Sequence, residues 1–375
     1  MKLDIPIAGV TGEMEGNTVV IRSESPLTVL SSAVLNGGLS KSQIIINQQL
    51  TEDNFDPEGV LRSTINHLNL SPEDVIGSTT VVETFNLKVV THQNSGSTVI
   101  ALVTIGVSHP AAAGRPSHRT EKLSITLNII LLIDGNLTER CLVNAVKIVT
   151  DAKYDALREL DFTNVPSGKS STGSASEDIV IACTGFGKLV ETTEDDTSLI
   201  ESIMNCTKKA TKEILKERGL TPDRSLIHRL EERGITINGL VKTALELYCP
   251  HSGLETKEKA SKLIKKEFKQ ILSDINIAAL TIAGLRLEED GQHGLLPLFS
   301  KQNFQKDPSY LVADEILGMA IANYIAGTRA IFEYIRFDKA KPGILQKLGP
   351  FLDDVMGGII AGVSSNVYTK ALNEQ

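Results

Sequence analysis

Along residues 1–110, apolar positions alternate with polar ones or gather in short β-branched runs, the pattern of strands half-buried in a sheet. Thr18-Val19-Val20-Ile21-Arg22 alternates, and Gln43-Ile44-Ile45-Ile46-Asn47 is a short apolar run. Leu87 to Thr91 and Thr98 to Thr104, parted by Asn94-Ser95-Gly96, predict an antiparallel hairpin. Asp56-Pro57 introduces a helix over 58–68. A basic, Pro- and Gly-broken loop covers 109–121, and 123–133 is again β-rich. After the turn Asp134-Gly135-Asn136, a helix is predicted from 137 to 160, with Leu142, Val146, Val149, Ala152, Ala156 and Leu160 recurring every three or four positions. A Ser/Gly loop over 161–177, a buried strand at 179–183 and a helix over 197–218 follow. Gly219, Thr221, Pro222 and Asp223 stop that helix and start another. Beyond them helical periodicity runs to the end. The switch predicts a multidomain chain: an N-terminal α/β unit with a mixed sheet over 1–220, then an all-α helical unit over 221–375.

Composition narrows the function classes. With aromatics at 4% and no Trp, the cores must be filled by aliphatic side chains. A net charge of −8 lacks the basic footprint that nucleic acid requires. Lys262, Lys265 and Lys266 read as a solvated helix face. Cys141, Cys183, Cys206 and Cys249 show no CxxC spacing, and each is expected to be a small buried residue in a reducing compartment. No apolar stretch approaches the roughly 18 residues that span a bilayer, and the N-terminus has no signal-peptide core. The expectation is a cytoplasmic protein with no integral membrane segment. The sequence leaves room for a homo-oligomer. Gly168-Lys169-Ser170 mimics the end of a P-loop, but Thr163 stands where glycine is required. His92, His109 and His118 lack metal spacing and read as packing or surface residues.

Two acidic pairs carry the chemistry of the second half. Asp314-Glu315 opens an otherwise apolar helix, and Asp353-Asp354 lies in Phe351-Leu352-Asp353-Asp354-Val355-Met356-Gly357-Gly358-Ile359, whose small residues permit close helix approach. Four carboxylates on such helices repel unless a cation neutralises them, and hard oxygen ligands suit Mg²⁺ or Mn²⁺. Such an ion clamps a phosphoryl oxygen and activates water. Arg336 and Lys341, between the pairs, suit the substrate phosphate. A plainer reading of the same acids is that they cap helix N-termini.

Asp307-Pro308 with Val312-Ala313-Asp314-Glu315, then Phe337-Asp338 with Lys341-Pro342, then Leu352-Asp353-Asp354-Val355 resemble the ordered motifs of the phosphatidylglycerophosphatase A family, which implies a Mg²⁺-dependent phosphatase. The upstream Leu287-Glu288-Glu289-Asp290-Gly291 and Leu295-Leu296-Pro297 are more similar to its soluble CobZ branch, α-ribazole-phosphate phosphatases. In the first half, Leu30-Ser31-Ser32-Ala33-Val34-Leu35-Asn36-Gly37-Gly38, Asn47, Thr104-Ile105-Gly106, Thr126-Leu127-Asn128, Asn144, Asp151-Ala152-Lys153 and Thr172-Gly173-Ser174-Ala175-Ser176-Glu177-Asp178 resemble the adenosylcobinamide amidohydrolase family (CbiZ). That resemblance implies cleavage of the amide joining aminopropanol to the corrin ring, with the corrinoid as substrate and not prosthetic group. It also implies catalytic roles among Ser31, Ser32, Asn36, Asp134, Lys153, Thr172, Ser174 and Asp178, and substrate contacts at Gly37, Gly38, Asn47, Thr104, Asn128 and Asn144.

The mechanism stays open at the level of sequence. A hydroxyl of Ser31, Ser32, Thr172 or Ser174 serves as nucleophile with Lys153 or a His as base. A water activated by Asp134 or Glu139 serves equally. Together the halves resemble CbiS-type bifunctional proteins of cobamide salvage, implying adenosylcobinamide and either α-ribazole 5′-phosphate or adenosylcobalamin 5′-phosphate as substrates. The alternative is a lipid phosphatase carrying a corrinoid-binding module without catalysis.

Overall fold

Runs of Val, Ile and Thr make the first half a sheet protein, because side chains branched at Cβ fit the pleated backbone with little further loss of freedom. The computed structural model describes residues 1–50, 56–81, 86–94, 97–108, 124–161, 163–164, 169–170, 177–192 and 197–373. The strands are β1 (Val10–Glu15), β2 (Thr18–Ser31), β3 (Gly38–Leu50), β4 (Val75–Val81), β5 (Leu87–Asn94), β6 (Ser97–Ser108), β7 (Ser124–Asp134), β8 (Asn136–Leu137), β9 (Thr163–Asn164), β10 (Lys169–Ser170), β11 (Ile179–Cys183) and β12 (Leu189–Val190). Helices α1 (Pro57–His67), α2 (Glu139–Glu159) and α3 (Thr197–Glu217) accompany them. The chain divides between Asp223 and Arg224 into two units.

In the first unit the main sheet runs β4-β3-β2-β11-β7-β6-β5, with β1 on β2. Pairs β3–β4 and β7–β11 are parallel and the remaining neighbours antiparallel, so the sheet is mixed. The expected hairpin is present as β5 and β6, with Asn94 opposite Ser97. Alternation sends Val29, Ile45, Ile76, Ile100, Ile130 and Val180 into one core. The opposite face of β6, β7 and β11 meets α2 and α3 through Leu131, Ile181, Val149 and Ile203. The sheet curls until side chains on β3 reach β6: Asn47 Nδ2 donates to Thr104 Oγ1 at 3.0 Å. The helix expected from 137 starts later. Asn136 and Leu137 pair with β12, and Thr138 is the N-cap, its Oγ1 accepting from the Cys141 N–H at 3.3 Å.

The second unit is helical: α4 (Leu226–Glu231), α5 (Ile237–Glu246), α6 (Lys257–Ile271), α7 (Ile275–His293), α8 (Lys301–Phe304), α9 (Ala313–Ala326), α10 (Thr328–Ala340) and α11 (Pro350–Asn373). Apolar on every side, α11 is the helix the others surround; Val355, Met356, Ile359, Ile360 and Val363 are all buried. Its tightest neighbour is α9. A Cβ on Gly358 would lie 2.2 Å from the Gly318 carbonyl oxygen, and one on Gly318 would lie 2.6 Å from the Asp354 carbonyl oxygen. Only hydrogen fits at either position, so the two backbones touch. The expectation for the cysteines needs one correction: Cys141, Cys183 and Cys206 are buried, but Cys249 is exposed. It lies beyond α5 in a turn, where the Tyr368 hydroxyl accepts its N–H at 3.0 Å.

Gly358→Ala is expected to destabilise the helical unit by about 1–3 kcal/mol through overpacking. An earlier urea midpoint in the far-ultraviolet helix signal would show it, and an unchanged midpoint would contradict so close a contact.

Candidate active sites

In the first unit, strand alternation gathers polar side chains at one end of the inner core. Asn47, Ser78, Thr80, Thr104 and Asn128 are each 1% exposed, and they share strand faces with core residues Ile45, Ile76, Ile100 and Ile130. Asp178, just ahead of β11, joins them. The Asn128 amide donates to the Thr79 carbonyl at 2.6 Å, and its Oδ1 accepts the Asp178 N–H at 3.0 Å. Ser32 Oγ donates to Asp178 Oδ1 at 3.2 Å while accepting the Ile179 N–H at 3.0 Å. Burial pushes the Asp178 carboxyl up, against the Ser32 hydroxyl and the Thr79 amide. Asn47 Oδ1, Thr80 Oγ1 and Ser31 Oγ are buried without protein partners. Orphaned buried polar atoms are costly and call for an explanation, and a polar ligand is one.

Of the residues singled out in the sequence, Ser31, Ser32, Asn47, Thr104, Asn128 and Asp178 thus converge. Others do not. Asp134 sits at the opposite end of β7, six residues or about 20 Å from Asn128, where its Oδ1 accepts from Thr184 Oγ1 at 2.9 Å. Glu139, exposed in the first turn of α2, shares that remote end. Lys153 is not a free base for a hydroxyl: its ammonium donates to Glu177 Oε2 at 2.5 Å in an ion pair with both side chains 7% exposed. Asn36 is a turn device, left-handed at φ 53° with its amide donating to the Pro72 and Val75 carbonyls. Gly37 and Gly38 continue that turn, where a Cβ on Gly37 would strike the Ala33 carbonyl. Asn144 is half-buried on α2. Thr172, Ser174, His109 and His118 lie outside the described residues. Thr80, in the polar run Ser78-Thr79-Thr80, carries no motif signal, and Glu177 stands in a quoted motif without being singled out.

The second unit brings two helix starts together. Asp314 and Glu315 lie in the first turn of α9, and Asp353 and Asp354 near the start of α11. The glycine contact between these helices sets carboxylate oxygens of Asp314, Glu315 and Asp354 within 4.8 Å of one another. Asp314 is fully buried. Its Oδ1 accepts the Glu315 N–H at 3.1 Å, but the N-cap of α9 is Val312 and no side chain makes a capping bond there. Nor does capping account for the other oxygens: Asp314 Oδ2 and Glu315 Oε2 are buried with no partner. Burial, then the close Glu315 carboxyl and the charge of Asp354, push Asp314 up to about 8. Asp354 rises to about 7 through burial, against a hydrogen bond from the Tyr334 hydroxyl at 2.5 Å. Orphaned oxygens, hard donors and carboxyls forced towards neutrality fit a divalent cation.

Asp353 faces elsewhere. It accepts from Lys341 Nζ at 2.5 Å, and Lys341 also lies 3.4 Å from Asp307. Burial lifts Asp353 to about 6, opposed by Lys341. Both Lys341 (φ 37°) and Asp307 (φ 46°) are left-handed and each precedes a proline. Asp338 was quoted within a motif but not singled out; burial raises its carboxyl, Lys341 lowers it and Glu315 raises it further. Tyr334 and Asp338 lie four residues apart on one face of α10, and Lys341 follows that helix as its left-handed C-cap. Arg336, two residues after Tyr334, faces away, pairing with Glu333 at 2.8 Å and approaching the Leu247 carbonyl at 3.4 Å. Of the two basic residues expected at a phosphate, Lys341 is the one beside the carboxylates. A cavity of about 580 Å³ opens beside Lys341 and Asp353.

Residues 7–221 match the family model described as adenosylcobinamide amidohydrolase, and residues 261–368 that described as phosphatidylglycerophosphatase A. An uncharacterised protein of Methanocaldococcus jannaschii, MJ1330, is 38% identical over 118 residues, covering 30% of this chain and 90% of its own. A second from that organism, MJ1613, is 24% identical over 224 residues, covering 54% and 86%. A solved structure of a Bacillus stearothermophilus protein of unknown function is 27% identical, covering 38% of this chain and 96% of its own, at a TM-score of 0.33.

Carboxyls near pH 4 when unfolded but raised to about 8, 7 and 6 when folded bind protons more tightly in the folded state. Their destabilisation is absent below about pH 4, grows above it and is complete above about pH 8. The thermal midpoint of the metal-free helical unit is expected to fall between pH 5 and pH 8. Millimolar Mg²⁺ is expected to raise it at pH 8 and to act weakly at pH 5. A midpoint flat with pH and indifferent to Mg²⁺ would remove the case for a cation site.

Proposed function

The chain belongs to the adenosylcobinamide amidohydrolase family and carries a phosphatidylglycerophosphatase A-type hydrolase unit behind that domain, and from this premise we propose a bifunctional enzyme of cobamide salvage. The first unit hydrolyses the aminopropanol amide of adenosylcobinamide to adenosylcobyric acid. The second removes the 5′-phosphate of α-ribazole phosphate or of the assembled cobamide phosphate. The observation that carries the reading is the pairing, on one chain, of the Ser32–Asp178 site with the Asp314, Glu315 and Asp354 cluster.

In the first unit Ser32 is the nucleophile. Its hydroxyl already donates to Asp178, and burial moves that carboxyl towards the working pH, where a base is most effective. Ser32 Oγ adds to the amide carbonyl as its proton passes to Asp178. The departing aminopropanol nitrogen takes that proton, and water then cleaves the resulting ester.

In the second unit Asp314, Glu315 and Asp354 would hold Mg²⁺, with Tyr334 fixing Asp354 by its hydroxyl. Bound there, the ion would polarise the phosphoryl group and lower the pKa of water. Lys341 moves from Asp353 and Asp307 to the phosphate oxygens, a charge-assisted exchange of one anion for another. As a water oxygen bonds to phosphorus and the ester P–O bond breaks, Asp353, raised to about 6, hands its proton to the leaving oxygen and recovers one from the attacking water.

The family description of residues 261–368 favours a second reading, a phospholipid monoester as substrate. Among the described residues no single helix is long and apolar enough to cross a membrane, although α6 and α7, bent by 86°, pass together by length and composition. Assays on adenosylcobinamide, and on α-ribazole phosphate or phosphatidylglycerophosphate with Mg²⁺, separate the readings. Hydrolysis of the lipid alone, with corrinoid bound but not cleaved, would select the second.

Ser32→Ala is expected to lower amide hydrolysis at least a hundredfold and leave phosphate release within twofold. Asp354→Asn is expected to do the reverse. Full phosphatase activity in Asp354→Asn would remove the cation site.

A further inference from the structure

We propose that the cavity beside the carboxylate cluster receives the leaving alcohol, and that Gln292, His293 and Gln346 select a compact, hydroxyl-bearing one; this rests on the phosphatase reading of the second unit. The cavity, about 580 Å³, is of the size that holds small molecules. Lys341 and Asp353 form one wall, and Asp353 is the chain neighbour of the cluster member Asp354. A phosphoryl group held at that wall directs its ester oxygen into the cavity.

The floor is a built one. Glu288, from α7, is 2% exposed. Its Oε2 accepts the N–H groups of Phe351 and Leu352 at 3.0 and 3.3 Å, and its Oε1 accepts the Gln292 amide at 2.7 Å. A carboxylate against the first turn of a helix is electrostatically favoured. Glu288 therefore pins the start of α11 and orients Gln292 in one move. With its amide nitrogen engaged, Gln292 keeps its carbonyl oxygen as an acceptor. His293 Nδ1 lies 2.7 Å from the Glu289 carbonyl, which can only accept, so that nitrogen carries a hydrogen and Nε2 is left to face a ligand. Gln346 adds an amide with both a donor and an acceptor.

Apolar side chains share the lining: Phe304 and Leu345 are buried behind it, and the half-buried Leu348 and Pro350 give the carbon skeleton of an alcohol a seat beside the amides and the imidazole. Acyl chains placed here would strip water from the glutamine amides and the imidazole and return no hydrogen bonds. A ribose or similar polyol returns them from each hydroxyl.

The test uses the full chain and two variants at exposed positions, Gln346→Trp, which fills the cavity, and His293→Ala, which removes the imidazole. Calorimetry reads the binding of α-ribazole, the alcohol alone. Kinetics with Mg²⁺ compare α-ribazole 5′-phosphate, p-nitrophenyl phosphate and a short-chain phosphatidylglycerophosphate. The unmodified chain is expected to bind the alcohol, and each variant to weaken that binding at least tenfold. Each variant is also expected to lower kcat/KM for the ribazole ester at least tenfold more than for the nitrophenyl ester. Equal losses on both esters, unaltered alcohol binding, or a lipid ester preferred by the unmodified chain would overturn the proposal. If no phosphate ester is hydrolysed but the alcohol still binds and the variants weaken it, the pocket stands and the phosphatase reading falls.

Discussion

Repulsion between buried carboxylates is the constraint around which the helical unit is organised. Charged oxygens under 5 Å apart repel by about 3–4 kcal/mol per pair at an effective dielectric near 20, and Asp314, Glu315 and Asp354 meet that condition. Packing alone would never choose this arrangement. It is imposed by two glycines that let α9 and α11 touch, by Tyr334 reaching up from α10, and by Glu288 holding the first turn of α11. Each contact is ordinary by itself. Together they hold three acids where only protons or a cation relieve them.

The sheet unit answers a different problem. Its buried polar layer is mostly uncharged, and hydrogen bonds between strands distant in the sheet hold it: β3 to β6 through Asn47 and Thr104, β7 to β4 through Asn128. These bonds fasten the curl of the sheet and also fix the position of Asp178 and, through it, Ser32. Stability and site geometry therefore share the same residues. The Lys153–Glu177 pair on the opposite face carries its charges in a dry setting, where removing one partner costs more than the pair contributes.

Much of this was legible in the sequence. The β-branched runs located β5, β6, β7 and β11, the change of period located the all-helical half, and glycines beside Asp353-Asp354 pointed to close helix approach. What escaped were relations in space. Asp134 and Asn128 lie on one strand, and only the sheet shows that Asp178 and Ser32 gather at the end carrying Asn128. Arg336 and Lys341 are both basic and five residues apart, yet Arg336 pairs on α10 with Glu333 while Lys341, the left-handed C-cap beyond that helix, lies at the carboxylates. Glu288 is far from Asp353 in sequence, so no local pattern reveals that it caps that helix.

Lys341 and Asp307 face each other across the cavity mouth, both in left-handed backbone ahead of a proline. Glycine would relax either position, since a side chain there costs roughly 1–2 kcal/mol, but glycine would also delete the charge. Natural drift towards a sturdier loop is thus opposed by the chemistry at the same two codons. A stabilising design that follows backbone preference alone would select against the enzyme it set out to improve.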